Sequence, residues 1–262
     1  MLEVLDRDGG GAKRSTPLLF VHGAFHGAWC WSEHFLDFFA ERGYRAVAVN
    51  LRGHGNSPTP GPLNSCTLAD YADDIRTVAD SLPTPPVVIG HSMGGAVVQK
   101  YLTRHNAPAA VLVASAPPSG LARAALRLTR RHPGHCARAR ALRVPLRLFG
   151  ALPVARATFY SRHTPEQHVV EYVGRLQDES IRVLYRDLLY SDLPQSERVT
   201  TPMLVVGAEL DGFFSPGEVA ATARAYGTRA RMVPAMGHNM MLEPGWADVA
   251  EHIHDWLDGR GL

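Results

Sequence analysis

The chain has 262 residues, a formal net charge of +2, 45% apolar residues and 20% charged residues. This composition is typical of a globular protein, and it argues against a disordered chain, a collagen or a coiled coil. The near balance of charge argues against a nucleic-acid-binding protein. No apolar run approaches the roughly 20 residues of a membrane-spanning helix, and the first residues lack the pattern of a signal peptide. We therefore expect a cytoplasmic protein without an integral membrane segment.

Six short apolar runs predict strands, and they alternate with segments of helical periodicity. The runs show little alternation of apolar and polar residues, which is typical of parallel strands that are covered on both faces. The predicted strands span residues 17–21, 45–49, 86–89, 109–113, 202–206 and 230–233. The predicted helices span residues 67–82, 93–104, 216–226 and 246–257. This order predicts an α/β protein with a doubly wound, mostly parallel sheet.

The first of these helices carries a sequence signal for its start. Thr67 stands three residues before Asp70, directly before an apolar stripe that begins at Leu68. A hydroxyl and a carboxylate at this spacing form a capping box, in which each side chain accepts from the other residue's backbone amide. We therefore expect Thr67 and Asp70 to cap the start of this helix.

One long segment interrupts the alternation. Between residues 117 and 198 no buried strand is evident, and prolines break a series of helix-like pieces. We expect residues 117–198 to form a helical cap, inserted into a core made of residues 1–116 and 199–262. Its first part holds eight arginines and no acidic residue between Leu121 and Arg147. This basic stretch is either a solvated face or a surface that attracts anionic substrates or an anionic membrane.

A glycine-rich motif follows the predicted strand that ends at residue 89. It reads Gly-His-Ser-Met-Gly from Gly90 to Gly94 and opens a predicted helix. A serine on such a sharp strand-to-helix turn adopts strained dihedral angles, and side chains at the flanking glycines would clash. The turn exposes the Ser92 hydroxyl and directs the Met93 amide at a reacting carbonyl oxygen. Ser92 is therefore the candidate nucleophile.

A serine hydroxyl needs a general base, and the base needs an orienting carboxylate. The chain has thirteen histidines, of which His238 follows the last predicted strand and so lies at the same sheet edge as Ser92. Asp211 follows the preceding strand and is the candidate carboxylate, with Glu209 as the alternative. His91 is adjacent to the nucleophile but is expected to point away from it. The order Ser92, Asp211, His238 is that of a hydrolase triad.

Two backbone amides are needed to stabilise the oxyanion. Met93 supplies one candidate, and Ala24 supplies the other because it follows the strand 17–21. One such donor contributes about 3–4 kcal/mol to the stabilisation of a transition state.

With these motifs, the chain resembles an α/β-hydrolase fold enzyme over nearly its full length. The segment 22–31, His-Gly-Ala-Phe-His-Gly-Ala-Trp-Cys-Trp, resembles the plant methylesterase and hydroxynitrile lyase branch. The segment 52–57, Arg-Gly-His-Gly-Asn-Ser, resembles bacterial carboxylesterases instead. Gly23 and Asn239 stand where lyases of that branch have threonine and lysine, which favours ester hydrolysis.

The resemblance implies a serine hydrolase of a carboxylic ester, or of a thioester, acting through an acyl-enzyme on Ser92. Two other functions stay open: a lyase or cofactor-free oxygenase that uses the same triad, and a ligand-binding receptor with a vestigial triad. We expect no cofactor and no metal, because the sequence shows no metal-binding or nucleotide-binding motif and the three cysteines are widely spaced. The expected partner is a small ester with an apolar acyl part, and a homodimer stays open.

The substrate is expected to lie between the cap and the sheet edge. The main wall candidates are Phe25, Phe159, Phe213 and Met240. Further apolar candidates from the cap are Leu126, Leu148, Phe149 and Tyr160.

Overall fold

A seven-stranded sheet forms the centre of the protein. The computed structural model describes residues 1–9, 14–142, 144 and 146–262, with the Arg147 side chain left aside. The strand order across the sheet is β1-β3-β2-β4-β5-β6-β7, and all neighbours are parallel except β1 and β3. The strands are β1 Val4–Asp8, β2 Leu18–Val21, β3 Arg45–Val49, β4 Val87–His91, β5 Ala110–Val113, β6 Met203–Ala208 and β7 Ala230–Val233. The predicted α/β fold with a mostly parallel sheet is confirmed.

The strand β1 is an addition to the six predicted strands. It pairs antiparallel with β3 at the edge of the sheet, with Val4 opposite Val49. Its burial pattern is mostly exposed, because one side of an edge strand faces solvent. Three of its five residues are charged, which protects an edge from pairing with another chain. A search for apolar runs in the sequence therefore does not detect this strand.

Helices cover both faces of the sheet. They are α1 Trp29–Ser32, α2 Phe35–Glu41, α3 Leu68–Ala79, α4 Met93–Leu102, α5 Ala122–Arg131, α6 Pro133–Leu142, α7 Leu146–Phe149, α8 Leu152–Phe159, α9 Glu166–Gly174, α10 Pro216–Ala225 and α11 Trp246–Asp258. Short 3-10 helices span Leu63–Ser65 and Ser196–Arg198, and a π-helix spans Val183–Ser191. Among the described residues, none of the helices combines the length and apolar character needed to cross a membrane.

In the inner strands of the sheet, successive residues belong to different halves of the core. In β2, Leu18 and Phe20 pack with α1, α2 and α11, whereas Leu19 and Val21 pack with α3, α4 and α10. Side chains of a strand point alternately to the two faces of its sheet, so the strands from β2 to β6 are buried on both sides, unlike β1. This arrangement is the doubly wound layering that the apolar runs predicted.

The helix α3 begins where its capping box predicts. The Thr67 hydroxyl accepts from the amide of Asp70 at 3.0 Å, and the Asp70 carboxylate accepts from the amide of Thr67 at 2.9 Å. The Asp187 carboxylate, from the π-helix, accepts from the amide of Leu68 at 3.0 Å. The amides of Thr67, Leu68 and Asp70 at the start of the helix are therefore satisfied.

The chain from 117 to 198 connects β5 to β6. Its described residues form helices and loops, with no strand among them. We call this part the helical segment. Its division from the core as a separate cap stays a prediction.

The order of the strands brings two loops together. The strand β2 lies between β3 and β4. After β2 the chain therefore forms β3 on one side of it and then β4 on the other side. The loops after β2 and β4 are thus neighbours at the carboxyl edge of the sheet, which is where open α/β sheets bind ligands.

Candidate active site

Ser92 occupies a strained turn between β4 and α4. Its dihedral angles are φ 53° and ψ −119°, an uncommon conformation for a residue with a side chain. A Cβ atom at Gly90 would clash with the carbonyl of Gly94, and one at Gly94 would clash with the carbonyls of Val21 and His22. The glycines at both flanks are therefore required by close backbone packing, as the motif predicts.

The three predicted side chains form one hydrogen-bonded row. His238 Nε2 lies 2.9 Å from Ser92 Oγ, and His238 Nδ1 lies 2.9 Å from Asp211 Oδ2. The side chains of His238 and Asp211 are 1% and 0% exposed, respectively. With Nδ1 donating to Asp211, Nε2 is left to accept the Ser92 proton, which is the geometry of a nucleophile with its general base.

The loop after β6 holds the Asp211 carboxylate in place. Asp211 Oδ1 accepts from the amides of Phe213 at 2.7 Å and Phe214 at 3.0 Å, which leaves Oδ2 for His238. Glu209 instead accepts from the amide of Ala235 at 3.0 Å, near the surface. The geometry therefore favours Asp211 over Glu209 as the partner of His238.

His91 points away from the Ser92 hydroxyl, as expected, and contacts the loop that carries His238. Its Nε2 lies 3.0 Å from the backbone carbonyl of His238. Burial lowers the pKa of His91 well below its usual value, and the nearby His238 lowers it further. A neutral ring with its proton on Nε2 donates to that carbonyl, so His91 helps to position His238.

The loop after β2 lies against the nucleophile turn. A Cβ atom at Gly23 would lie 2.8 Å from His91 Nδ1 and 3.0 Å from Ser92 Cβ. Ala24 and Met93 both line the same cavity as Ser92. As the first residue of α4, Met93 has an amide without a partner inside the helix. The structure thus brings the two candidate oxyanion donors beside Ser92.

Sequence reasoning missed a polar link between this loop and the histidine loop. His26 Nδ1 lies 2.8 Å from the carbonyl of Ala24, and His26 Nε2 lies 3.1 Å from Asn239 Nδ2. Burial lowers the pKa of His26 to about 4, so its ring is neutral at neutral pH. Nδ1 then donates to Ala24 while Nε2 accepts from Asn239. In the sequence, the only signal for this link is that Asn239 is adjacent to His238. The contact between Asn239 and His26 is created by the fold.

A cavity of about 390 Å³ opens beside Ser92. This volume falls within the range of small-molecule binding sites. Its walls come from the loop after β2, the nucleophile turn, the helical segment and the loop after β6. The lining residues are Ala24, Phe25, Ser92, Met93, Ala116, Leu121, Ala124, Ala125, Leu128, Thr129, Pro133, Cys136, Ala137, Arg140, Leu148, Phe149, Phe159, Leu184, Tyr185, Leu189, Phe213 and Phe214.

The predicted wall residues divide into two groups. Phe25, Phe159 and Phe213 line the cavity together with Phe149, and the rings of Phe159 and Phe213 are 5.5 Å apart. Leu148 also lines it. The remaining three candidates, Met240, Tyr160 and Leu126, do not belong to the described lining of the cavity, so the expectation is not met for them. Met240 and Tyr160 are buried in the core, and Leu126 is half exposed at the surface.

The arginines of the helical segment do not form one uniform solvated face. Arg127 is bound to the Glu218 carboxylate at 2.8 Å and to the Phe213 carbonyl. Arg131 donates to the Gly212 carbonyl at 3.3 Å. Arg140 lines the cavity. Arg143 lies outside the described residues, as does the Arg147 side chain.

Metal-ligating side chains are not clustered in the part of the chain that the structure describes. No group of three or more His, Cys, Asp or Glu side chains there is arranged to hold an ion. Cys30 and Cys66 are buried free thiols, and Cys136 is a free thiol of intermediate exposure.

Comparison with known proteins adds a family and several relatives. The model of the alpha/beta hydrolase family matches residues 18–252. A non-heme haloperoxidase from Rhodococcus erythropolis is 36% identical over 120 residues, which is 44% of this chain and 42% of that protein. Methylesterase 18 from Arabidopsis thaliana is 34% identical over 79 residues, 29% of each chain. The chain thus matches less than half the length of either relative.

Solved structures match over a longer range at lower identity. A thermophilic esterase from Thermogutta terrifontis superimposes with a TM-score of 0.72 and 21% identity, covering 100% of this chain and 94% of the esterase chain. At this identity the match shows a common fold.

Proposed function

The chain belongs to the alpha/beta hydrolase family, and on that premise we propose that it is a serine hydrolase that cleaves carboxylic esters, thioesters included. The observation that carries the proposal is the hydrogen-bonded row from Asp211 through His238 to Ser92, both links being 2.9 Å. The row ends at an apolar cavity, which supports a small-molecule ester with an apolar acyl part as the substrate.

In the proposed mechanism, Ser92 Oγ attacks the ester carbonyl while His238 Nε2 takes its proton. Asp211 keeps the His238 proton on Nδ1 and stabilises the imidazolium that forms. The amides of Ala24 and Met93 donate to the oxyanion. His238 then gives its proton to the leaving alcohol, and the acyl-enzyme forms on Ser92. Water, deprotonated by His238, attacks the acyl group and releases the acid.

The helical segment serves as a cap in this proposal. Its helices α5, α6 and α7, with Phe159 at the end of α8, supply much of the cavity wall. A cover of this kind excludes water from the acyl pocket and sets the size of the acyl group.

The first experiment is hydrolysis of p-nitrophenyl esters from acetate to dodecanoate by the wild type and by Ser92→Ala. We expect an optimum of acyl length in the wild type and a loss of about six orders of magnitude in kcat in the variant. Fluorophosphonate should label Ser92 in the wild type and leave the variant unlabelled.

A matched pair of variants tests the assignment of the acid. Asp211→Asn should lower kcat by about four orders of magnitude, because the amide favours the wrong histidine tautomer. Glu209→Gln should stay within about twofold of the wild type, since its contact is a peripheral hydrogen bond. Equal losses in the two variants would contradict the assignment.

A labelled Ser92 without ester turnover at any length would count against the hydrolase. In that case a lyase or cofactor-free oxygenase, or a receptor that retains a covalent product, becomes the better assignment.

A second candidate function comes from the haloperoxidase name of the relative from Rhodococcus erythropolis. It is tested by bromination of a phenol with bromide and hydrogen peroxide, which should exceed ester hydrolysis if that function is the main one.

A further inference from the structure

Two helices of the helical segment each present one stripe to the cavity. From α5 and the residue before it come Leu121, Ala124, Ala125, Leu128 and Thr129, and from α6 come Pro133, Cys136, Ala137 and Arg140. Steps of three and four residues place these side chains on one face of each helix. Both stripes are apolar or small for most of their length, and the stripe of α6 ends at a guanidinium.

Arg140 is the one charged residue among the described residues that line the cavity. It lies in the last turn of α6 and is exposed, so its guanidinium is accessible at the cavity's solvent side. No carboxylate in the described part of the chain forms an ion pair with it, whereas Arg127 on α5 is neutralised by Glu218 at 2.8 Å. Arg140 thus has its hydrogen-bond donors available to a ligand.

The surroundings of Arg140 favour an anion. The stretch from Leu121 to Arg147 contains no acidic residue, so no neighbour in sequence competes for the guanidinium. Tyr185 also lines the cavity, and its hydroxyl can donate a hydrogen bond. A guanidinium binds carboxylates and phosphates through two parallel hydrogen bonds. A neutral lipid-like substrate would leave this cation without any partner but water.

We propose that the substrate is an amphiphilic ester whose apolar chain lies along the stripes of α5 and α6 and whose far end carries a carboxylate or phosphate bound by Arg140. This inference rests on the proposed function, because the ester must react at Ser92. The stripe of α6 from Pro133 to Arg140 rises about 10 Å, at about 1.5 Å per residue. Because Ser92 and Arg140 stand at fixed places in the wall of one cavity, a substrate with its charge at a set distance from the ester is selected by length.

The activity test uses p-nitrophenyl monoesters of dicarboxylic acids, namely succinate, adipate, suberate and sebacate, beside neutral esters of the same chain lengths. One diacid ester should be cleaved with a higher kcat/KM than its neutral counterpart. Arg140→Gln should lower the ratio of kcat/KM for that ester to kcat/KM for its neutral counterpart by about fivefold or more. No diacid preference at any length would overturn the proposal.

Arg138→Gln is the matched control. Arg138 is an exposed arginine of the same helix, but it does not belong to the described lining of the cavity. It should keep the diacid preference, because the anion is bound by Arg140 and not by the general basic field. Equal losses in Arg138→Gln and Arg140→Gln would overturn the assignment to a single site.

A binding measurement separates this proposal from the proposed function. Cys136 lines the cavity, while Cys30 and Cys66 are buried, so a thiol reagent should report on Cys136 first. In the Ser92→Ala variant, decanoate and decyl phosphate should slow the labelling of Cys136. At equal concentration, the factor by which decanol slows the labelling should be about fivefold smaller. Adding Arg140→Gln should remove that difference.

The outcomes are distinguishable. Protection by the anions without ester turnover in the wild type would support the Arg140 site and contradict the hydrolase. Ester turnover with equal protection by decanoate and decanol would support the hydrolase and overturn the Arg140 site. Binding of the protein to phosphatidylglycerol vesicles that is lost equally in Arg138→Gln and Arg140→Gln would instead assign the arginines to a membrane surface, and would overturn the proposal.

Discussion

At the level of single residues, two of the four non-glycine residues with positive φ in the described part of the chain lie at the candidate active site. Ser92 and Phe25 both have positive φ values, of 53° and 66°, and both line the cavity. Such conformations persist where the surrounding structure over-determines them, and they are common at functional sites. At Phe25 the backbone is held by its carbonyl, which accepts from the amide of Gln177 at 2.9 Å. The helical segment therefore helps to hold the loop that carries Ala24.

His26 is a positioning residue at this scale, since it touches Ala24 and Asn239 and not the nucleophile. The variant His26→Phe keeps an aromatic ring against Trp29, whose ring centroid lies 5.6 Å away, but it removes both polar contacts. We expect kcat to fall by about tenfold to hundredfold, because the loop that carries the Ala24 amide loses the contact that its Ala24 carbonyl makes with His26. KM should change less, since the cavity wall is retained.

His34→Phe provides the comparison in steady-state kinetics. His34 stacks on Trp246 at 4.6 Å, and a phenyl ring can keep that contact. Its kcat should stay within about twofold of the wild type. A loss of kcat as large as that of His26→Phe would show that the polar link does not position the oxyanion donors.

At the level of elements, the capping box of α3 is a local feature with a measurable contribution. Thr67→Ala removes the hydroxyl that accepts from the amide of Asp70. The free energy of unfolding, measured by urea denaturation, should fall by about 1 kcal/mol. Thr77→Ala, within the same helix and exposed, should change it by less than about 0.5 kcal/mol. A fall of the same size in both variants would contradict the role of the cap.

A buried contact between a histidine and a carboxylate joins the helical segment to the sheet edge. His54 Nε2 lies 3.1 Å from Glu179 Oε2, and both side chains are 0% exposed. Burial by itself lowers the pKa of His54, but the Glu179 carboxylate raises it above its usual value. The Tyr71 hydroxyl donates to the same carboxylate at 2.6 Å. This contact joins the loop after β3, the helix α3 and the chain between α9 and the π-helix.

For the whole molecule, three buried histidines predict a loss of stability in acid. Burial lowers the pKa of His22, His26 and His91, with His26 at about 4. The unfolded chain takes up these protons near pH 6.5, so unfolding gains protons as the pH falls. The free energy of unfolding should therefore decrease from pH 6.5 towards pH 4. His26 alone accounts for about 3 kcal/mol of this decrease.

The pH effect is checked by urea denaturation at several pH values between 7 and 4. His54 has the opposite sign, because its pKa is raised in the folded protein, and its contribution is lost as the pH rises above 6.5. It therefore does not offset the decrease between pH 6.5 and 4. A stability that stays constant across that window would contradict the prediction. His26→Phe should have a shallower decrease than the wild type.

The sequence by itself determined the six parallel strands, the α/β class, the start of α3 and the identities of Ser92, Asp211 and His238 as a candidate set. These features carry local signals: apolar runs, helical periodicity, capping residues, and glycines that a tight turn requires. The edge strand β1 escaped prediction because half of its surroundings are solvent, and its pattern is mostly exposed.

The tertiary structure alone decided which residues meet across long separations in the chain. It paired His26 with Asn239, which are 213 positions apart, and it placed Arg140 on the cavity while burying Met240 in the core. No local pattern contains this information, because an apolar side chain on a core wall and one on a ligand cavity have the same periodicity. The packing of the helical segment over the sheet edge makes that distinction.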